Sequence, residues 1–353
     1  GVADALDQAG IYAFGPQATE ARIETDKLFQ REFMQAEGIP GCPTFETFDS
    51  ADTTATYLGS ITQDVAVKPR GLTGGKGVRV TGDQVTHEEA VAYVRESGHE
   101  EWVVEERLVG EEFTIQAFVA NGSVRVSPAV QDHKRAYEGD VGPNTGGMGS
   151  YSDAHFELPF MSSEEYDAAV KIIEATAESL DEYKGMLYGQ FMLTSDGPKV
   201  VEFNARFGDP EAMNTLPVLE SDFVAMLSMA RDGNALPELT FAAQATVCKY
   251  AVPDGYPTDP NDGATVQIDE KGAESVGARL FYASVDAQPD VIFTTTSRSF
   301  AVVGIADTIG EAEALAEKAL TEADQEGLRI RHDIGTDALL QRRIDHMQDL
   351  RSQ

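Results

Sequence analysis

Three polar residues at alternate positions could hold a metal ion and a phosphoryl group. Glu202, Asn204 and Arg206 are two residues apart, and alternate residues of a β-strand point to the same face. A carboxylate with an amide oxygen suits Mg²⁺, which takes oxygen ligands and is usually also bound by substrate phosphates. An arginine just beyond them could stabilise a phosphoryl group during its transfer. Alternating polar residues are also typical of a solvated strand face, but the adjoining turn at residues 208–210 favours a binding site.

A second segment, residues 67–78, combines lysines with glycines. Backbone amides in such a loop can approach a polyphosphate, and Lys68 and Lys76 can neutralise its charge. The segment is not a Walker A loop, because Gly77 follows Lys76 where Ser or Thr is required, and a strand pattern follows in place of a helix. A glycine-rich hairpin that binds nothing explains the segment equally well.

A third segment places three potential cations together in residues 132–135, which read Asp-His-Lys-Arg, before a glycine-rich stretch at residues 142–149. On its own, an exposed basic turn followed by a mobile loop is the more common structure. Four of the ten lysines lie in or beside the three segments: Lys27, Lys68, Lys76 and Lys134. A chain that avoids lysine elsewhere and keeps it here is expected to use it.

The elements that position these segments follow from the hydrophobic periodicity. Residues 131–150 are predicted to form a long polar, glycine-rich loop, and the charged tail after residue 335 is compatible with a helix. Thr86 and Glu89 predict a capping box at the start of a helix. Strands are predicted at residues 11–14, 44–48, 65–68, 78–81, 102–105, 112–119, 124–127, 186–193, 198–203, 246–252, 278–285 and 300–305, and helices at residues 19–38, 86–97, 163–183, 222–231 and 309–323.

The charge is strongly negative, because 60 Asp and Glu residues oppose 27 Lys and Arg residues, which gives a net charge of -33. Such a surface argues against nucleic acid or an anionic membrane as a partner. It could be a functional acidic face or a salt-adapted shell whose repulsion is screened at high ionic strength. The carboxylates are dispersed along the whole chain, which favours the second explanation and predicts a halophilic protein.

The two cysteines, Cys42 and Cys248, are far apart and form no Cys-x-x-Cys pattern. A disulfide framework or a zinc knuckle is therefore not expected, and a reducing cytoplasm fits. No apolar run approaches the ~20 residues that span a bilayer.

Together these strings resemble the phosphoribosylamine–glycine ligase family along nearly the whole chain. The family's Glu-Phe-Asn-x-Arg-Phe-Gly-Asp-Pro-Glu string stands at residues 202–211, and its Asp-His-Lys-Arg turn precedes Asn-Thr-Gly-Gly-Met-Gly at residues 144–149. Residues 26–29 resemble the family's entry into the ATP-grasp fold, and residues 105–112 its adenine and ribose hinge. Short sequence strings, such as Val-Lys-Pro at residues 67–69, resemble the archaeal branch of the family. The bacterial branch usually has Ala-Asp where this chain has Pro69 and Arg70.

The resemblance implies a multidomain protein of the α+β and α/β classes with an ATP-grasp core. A remnant of an N-terminal α/β domain is expected at residues 1–18 and the ATP-grasp domain at residues 19–236, with a flap lobe at about residues 41–101. A small α+β domain is expected at residues 237–335 and a charged tail at residues 336–353. The family has a glycine-rich loop and a strand–helix series before the point where this chain begins. These 353 residues are therefore expected to bind ATP, to bind phosphoribosylamine weakly and to turn over poorly.

The resemblance also implies a reaction in de novo purine biosynthesis. Glycine attacks the γ-phosphate of ATP to give glycyl phosphate, and the amine of 5-phosphoribosylamine then displaces phosphate to form glycinamide ribonucleotide. ATP with Mg²⁺ or Mn²⁺, glycine and 5-phosphoribosylamine are the implied ligands, with no nucleic acid or membrane partner and a cytoplasmic location.

Site roles are carried over from the family to the matching positions of this chain. Metal ligation falls to Glu202 and Asn204, with Gln190 as an extra ligand. The remaining roles are catalysis (Arg206 and Lys76), ATP binding (Lys27, Lys68, Lys76, Glu105, Glu106, Leu108 and Glu112) and substrate binding (Asp132, Lys134, Asn144, Thr145 and Asp209).

Two alternatives share part of the pattern. Another ATP-grasp ligase, such as a carboxylase, would have the metal strand and the flap but should lack the strings at residues 132–135 and 144–149. A non-catalytic nucleotide-binding module would be expected to lose one of Glu202, Asn204 and Arg206, and all three are present.

Overall fold

The computed structural model describes residues 1–72, 77–266, 270–288, 291–321 and 326–353. Among these residues, no helix combines the length and the apolar character needed to cross a bilayer. The helices are α1 (Val2–Gln8), α2 (Arg22–Thr25), α3 (Lys27–Ala36), α4 (Ala51–Ser60), α5 (His87–Glu96), α6 (Ser163–Ser179), α7 (Glu211–Thr215), α8 (Phe223–Arg231), α9 (Glu270–Ser275), α10 (Ile309–Leu320) and α11 (Asp337–Arg351). The strands are β1 (Phe45–Phe48), β2 (Val65–Pro69), β3 (Arg79–Val80), β4 (Trp102–Glu106), β5 (Glu111–Ala120), β6 (Ser123–Val126), β7 (Gln131–Asp132), β8 (Arg135–Tyr137), β9 (Val141–Asn144), β10 (Gly149–Ser152), β11 (Gly185–Thr194), β12 (Gly197–Asn204), β13 (Ala245–Pro253), β14 (Thr265–Val266), β15 (Arg279–Tyr282), β16 (Val285–Gln288), β17 (Val291–Thr294), β18 (Phe300–Ala306) and β19 (Leu328–Ile330).

The flap lobe consists of a four-stranded sheet, in the order β1-β4-β2-β3, packed against α4 and α5. Its core buries Trp102 and Leu58 completely. Thr86 and Glu89 form the predicted capping box of α5. Helix α4 was not predicted, because its three threonines are β-branched and lower the helix propensity of the segment.

The large lobe is an antiparallel sheet in the order β12-β11-β5-β6, with α6 packed against it. Phe113 and Phe191 stack between neighbouring strands at 5.2 Å. The sequence AAVKIIEATA within α6 carries the apolar face that meets the sheet, and a capping box of Ser162 and Glu165 begins the helix. This sheet carries the predicted metal strand, β12, at its edge.

A third sheet, called here the C-terminal sheet, has the order β15-β18-β13-β10-β7, and β19 also pairs with β13. Two of its strands, β7 and β10, come from the segment predicted to be a loop, and β8 pairs with β9 in the same segment. The loop prediction for residues 131–150 was therefore wrong. Strand β10 pairs with β7 and with β13, where Ser150 faces Cys248, and a partner as distant in sequence as β13 leaves no local signal.

Two further predictions near the start were wrong. Residues 11–14 form no strand, because a short apolar run does not by itself specify a sheet partner. Residues 19–38 form two helices and not one, because Asp26 is extended at φ -134° and caps α3 by accepting a hydrogen bond from the Phe29 amide. Asp26 also pairs with Arg70 at 2.7 Å, which joins this break to the flap lobe.

The charged tail forms helix α11 and packs back onto the molecule. Leu339 and Met347 are completely buried in the same core as the large-lobe residues. Arg351 holds the end of the helix by pairing with Glu165 at 2.8 Å.

Candidate active site

A cleft of about 460 Å³ lies between the flap sheet and the large-lobe sheet. Strands β2 and β4 contribute one wall, and strands β5, β11 and β12 contribute the other. Ten residues predicted for the site line this one cavity: Lys68, Glu105, Glu106, Leu108, Glu112, Asp132, Lys134, Asn144, Gln190 and Glu202. Segments separated by more than 130 residues in sequence are thus brought together where the two sheets face the same cleft.

The Glu202 carboxylate lies on the floor of this cleft. Strand β12 places it directly opposite Gln190 on β11. Burial raises the pKa of Glu202, but the positive charges of Lys134, Lys68 and Lys27 outweigh burial, and the net pKa lies below its ordinary value. The carboxylate is therefore ionised at neutral pH and lies among three cations.

The lysines differ in their surroundings. Burial lowers the pKa of Lys27 more than the nearby carboxylates raise it, and its Nζ donates to the Gly71 carbonyl at 2.9 Å. Burial also lowers the pKa of Lys134, but Glu112, Asp132 and Glu202 raise it further, so that its net pKa is raised. Lys134 Nζ lies 3.9 Å from the Glu112 carboxylate. A multivalent anion fits among these cations.

The contacts of Glu105 indicate a structural role. Its carboxylate is buried and pairs with Arg31 at 2.8 Å and with Lys68 at 2.8 Å. Burial raises the pKa of Glu105, but these two cations lower it further, and the net pKa is lowered. Arg31 also donates to the Val200 and Val201 carbonyls. The Glu105 side chain therefore ties the flap lobe to β12 and positions Lys68.

Asn204 and Arg206 lie at the end of β12, beside the cleft. Arg206 donates to the Asn204 amide oxygen at 3.0 Å and pairs with Glu24 at 3.0 Å. The Arg206 side chain is 58% exposed, which leaves its guanidinium accessible to a ligand. Lys76 falls outside the residues that the structure describes.

The oxygens around Glu202 fit a hard divalent cation. Glu202 is ionised, and Asn204, two residues further along β12, has an amide oxygen. Gln190 donates through Nε2 to Glu112 at 2.8 Å, which leaves its carbonyl oxygen for a cation. In the part of the chain that the structure describes, no group of three or more His, Cys, Asp and Glu side chains could hold a metal. Few protein ligands, supplemented by phosphate oxygens, are typical of Mg²⁺.

Asp132 lines the cleft beside Lys134. Its Oδ1 atom is buried and has no hydrogen-bond partner among the described residues. Burial and the nearby Glu211 carboxylate raise the pKa of Asp132 well above its ordinary value, against the opposing effect of Lys134 and Arg298. Asp132 can therefore exchange a proton closer to neutral pH than an exposed aspartate can.

Thr145 and Asp209 support this part of the cleft without lining it. Thr145 donates to the Lys134 carbonyl at 2.8 Å and accepts from the Gly147 amide. The Asp209 carboxylate accepts from the Tyr250 hydroxyl at 2.7 Å and pairs with Arg298 at 2.9 Å. Both carboxylate oxygens of Asp209 are thus engaged by side chains that follow β12 in the chain.

Sequence reasoning missed three arginines at the site. Arg31 follows Lys27 by four residues on α3, and this spacing, which puts both on one helix face, could have revealed it. Arg343 on α11 lines the cleft, and Arg298 reaches the Asp209 turn. Neither of these two has a local sequence signal, because their partners lie far away in the chain.

Comparisons with known proteins agree on one family. The model of the phosphoribosylglycinamide synthetase ATP-grasp (A) domain matches residues 25–212, and the model of the phosphoribosylglycinamide synthetase C domain matches residues 246–337. A phosphoribosylamine–glycine ligase from Methanosarcina barkeri is 52% identical over 360 residues, covering 99% of this chain and 82% of that protein.

Solved structures share the fold. A phosphoribosylamine–glycine ligase from Thermotoga maritima superposes with a TM-score of 0.80 at 26% identity, covering 91% of this chain and 81% of that one. The biotin carboxylase domain of a 2-oxoglutarate carboxylase from Hydrogenobacter thermophilus, solved with magnesium ADP, has a TM-score of 0.71 at 17% identity, covering 99% of this chain and 76% of that one. The second likeness is one of fold alone.

Proposed function

Since the chain belongs to the phosphoribosylamine–glycine ligase family, we propose that the cleft between its flap lobe and its large lobe is where this enzyme joins glycine to phosphoribosylamine at the expense of ATP. One observation carries the assignment: the ionised Glu202 lies near Lys27, Lys68 and Lys134 in a cleft between two sheets. Alternating cations and carboxylate are what a polyphosphate with a divalent cation requires.

The nucleotide lies along the flap side of the cleft. Leu108 and the backbone near Glu106 form the adenine end, and Glu106 holds the hinge by accepting from the Thr44 amide at 2.8 Å. Glu112 contacts the ribose, and the phosphates extend toward Lys68 and Lys27. Glu105 keeps Lys68 in place, because that ion pair is buried.

Glu202 and Asn204, with Gln190, would hold the divalent cation, Mg²⁺ or Mn²⁺. When bound, this cation neutralises the charge on the phosphate oxygens. The protein's own part is alignment and charge: phosphoryl transfer needs little covalent help from side chains. A glycine carboxylate oxygen attacks the γ-phosphorus, the bond to the ADP oxygen breaks, and Arg206 stabilises the negative charge on the transferred group.

The second step takes place at the Asp132 end. The phosphoribosylamine nitrogen attacks the carbonyl carbon of glycyl phosphate, and phosphate leaves. The nitrogen must lose a proton, and Asp132 can accept it. The raised pKa of Asp132 is closer to neutral pH than that of an exposed aspartate, which makes its carboxylate a better base. Lys134, with Asn144 on the neighbouring hairpin, contacts the acceptor.

Isotope transfer tests both steps. With glycine labelled with ¹⁸O in its carboxylate, ATP and phosphoribosylamine, one ¹⁸O atom should appear in each phosphate released, because the attacking oxygen leaves with the phosphate. Repeated turnover with ADP release should require glycine and phosphoribosylamine together. Release that depends on bicarbonate, or phosphate without the label, would contradict the proposal and favour a carboxylase.

A further inference from the structure

Arg298 connects the C-terminal sheet to the acceptor end of the cleft. It lies just before β18, and its side chain is only 14% exposed. Its Nη1 donates to the carbonyls of Gly146 at 2.8 Å, Gly147 at 3.1 Å and Asp209 at 3.0 Å. Its Nη2 pairs with the Asp209 carboxylate at 2.9 Å. One guanidinium therefore joins two segments that are more than 60 residues apart.

The surroundings of this guanidinium leave little room beside the two glycines that it contacts. A Cβ atom on Gly146 would lie 3.3 Å from Arg298 Cζ. Gly147 has φ +112°, and a Cβ there would lie 2.7 Å from Asp132 Oδ1. The peptide that Arg298 holds on one side thus contacts Asp132 on the other.

Tyr250 completes the arrangement. Its ring lies under the guanidinium at 4.4 Å, and its hydroxyl donates to the second oxygen of Asp209. Arg298 does not itself line the cleft among the described residues. It is therefore placed to act through the glycine peptide and the Asp209 turn, and not on a substrate directly.

We propose that Arg298 is a positioning residue for the acceptor step. It fixes the peptide of Gly146 and Gly147 against the Asp209 turn. Through this peptide it keeps Asp132 and Lys134 in the positions that phosphoribosylamine requires. This rests on the proposed function of the cleft. ATP binding should be independent of it, because the nucleotide lies on the flap side. The C-terminal sheet thereby contributes to selection of the acceptor without contacting it.

The test compares Arg298→Gln with Arg298→Lys and with a control, Arg125→Gln. Arg125 is a suitable control because it also donates to backbone carbonyls, those of Leu236 and Pro237, and pairs with Glu238 far from the cleft. In Arg298→Gln, the KM for phosphoribosylamine should rise roughly tenfold or more, since small misplacements at a reacting centre are costly. The Kd for ATP should change less than twofold. Arg298→Lys keeps the charge but fewer hydrogen bonds and should lie between.

Gly146→Ala provides an independent variant that keeps Arg298 itself unchanged. Its added methyl displaces the guanidinium by a few tenths of an ångström, and the KM for phosphoribosylamine should again rise while the Kd for ATP stays. Equal losses in ATP and phosphoribosylamine use, or a pattern shared with Arg125→Gln, would mean an arginine that only stabilises the fold and would overturn the proposal.

Hydrogen exchange separates this proposal from that for the cleft. The Thr145 and Met148 amides donate to the Lys134 and His133 carbonyls, and both should exchange faster in Arg298→Gln than in wild type. If wild-type protein showed no ligase turnover, the proposed function would fail, while unchanged exchange in the variant would overturn the positioning role alone.

Discussion

At the scale of single residues, Glu202 interacts electrostatically with several charged groups of the cleft. Three lysines keep it ionised despite burial, and in turn it helps hold them in a small volume. Removing its charge would therefore disturb both the binding of the divalent cation and the balance among the lysines.

Glu202→Gln should reduce kcat about a hundredfold or more, because a charge that assists phosphoryl transfer is lost. The fold should be kept, since the amide is isosteric with the carboxylate. Steady-state ADP release at saturating divalent cation measures the effect, with Glu174→Gln on the exposed face of α6 as the matched control. Near-native turnover would remove Glu202 from the mechanism.

His133 supplies a test of pH dependence. It is buried, neither ring nitrogen has a hydrogen-bond partner within the described residues, and burial lowers its pKa to about 3. The unfolded chain takes up a proton on this histidine near pH 6.5. Stability is thus lost through this group as pH falls from about 6.5 toward 3, because only the unfolded state binds the proton.

His133→Leu should therefore lose less thermal stability than wild type when the pH is lowered from 7.5 to 5. Calorimetry without ligands measures the change in Tm for each protein, and His155→Leu, altered at an exposed histidine, should follow wild type. Parallel pH profiles for wild type and His133→Leu would show that His133 is protonated in the folded state.

At the scale of elements, the predictable parts were those with local signals. The capping box of α5, the helical periodicity of α6 and the alternation along β12 follow from neighbouring residues. Strand β10 did not, because its partner β13 lies nearly a hundred residues later. Ten of the residues that motif strings predicted for the site line one cleft. The buried ion pair of Arg31 with Glu105 spans 74 residues, and only the fold reveals it.

Helix α11 is joined to the β8–β9 hairpin by Arg343, which is more buried than its neighbour Arg342. Arg343 pairs with Glu111 at 3.3 Å and also with Asp140 at the hairpin turn. Its neighbour Arg342 is 54% exposed and lies 3.9 Å from Asp333. The helix therefore stabilises the hairpin through one arginine and not the other.

Arg343→Gln should lower the free energy of unfolding by about 2 kcal/mol, the scale of hydrogen bonds to charged groups. Arg342→Gln should change it by less than about 1 kcal/mol, because exposed pairs contribute little. Urea denaturation of the two variants gives the comparison. Equal effects would show that α11 is held by its apolar face alone.

At the scale of the whole molecule, the net charge of -33 causes repulsion among the carboxylates. Molar salt shortens the screening length to ~3 Å and relieves repulsion among carboxylates. The salt-adapted interpretation therefore predicts that Tm rises between low and molar KCl.

A triple variant of α6, Asp167→Lys with Glu174→Lys and Glu178→Lys, changes three exposed carboxylates to cations and should show a smaller rise. Thermal melts in a KCl series measure both proteins. A Tm that is flat or falls with salt would contradict the salt-adapted interpretation and support a functional acidic face.

The order of strands in the C-terminal sheet has a consequence for synthesis on the ribosome. Strand β10 lies between β7 and β13, so it waits with one open edge while the next hundred residues leave the exit tunnel. Open strand edges recruit other chains. The nascent polypeptide therefore spends several seconds, at ordinary rates of translation, in a state that a chaperone can bind and a mature molecule never presents.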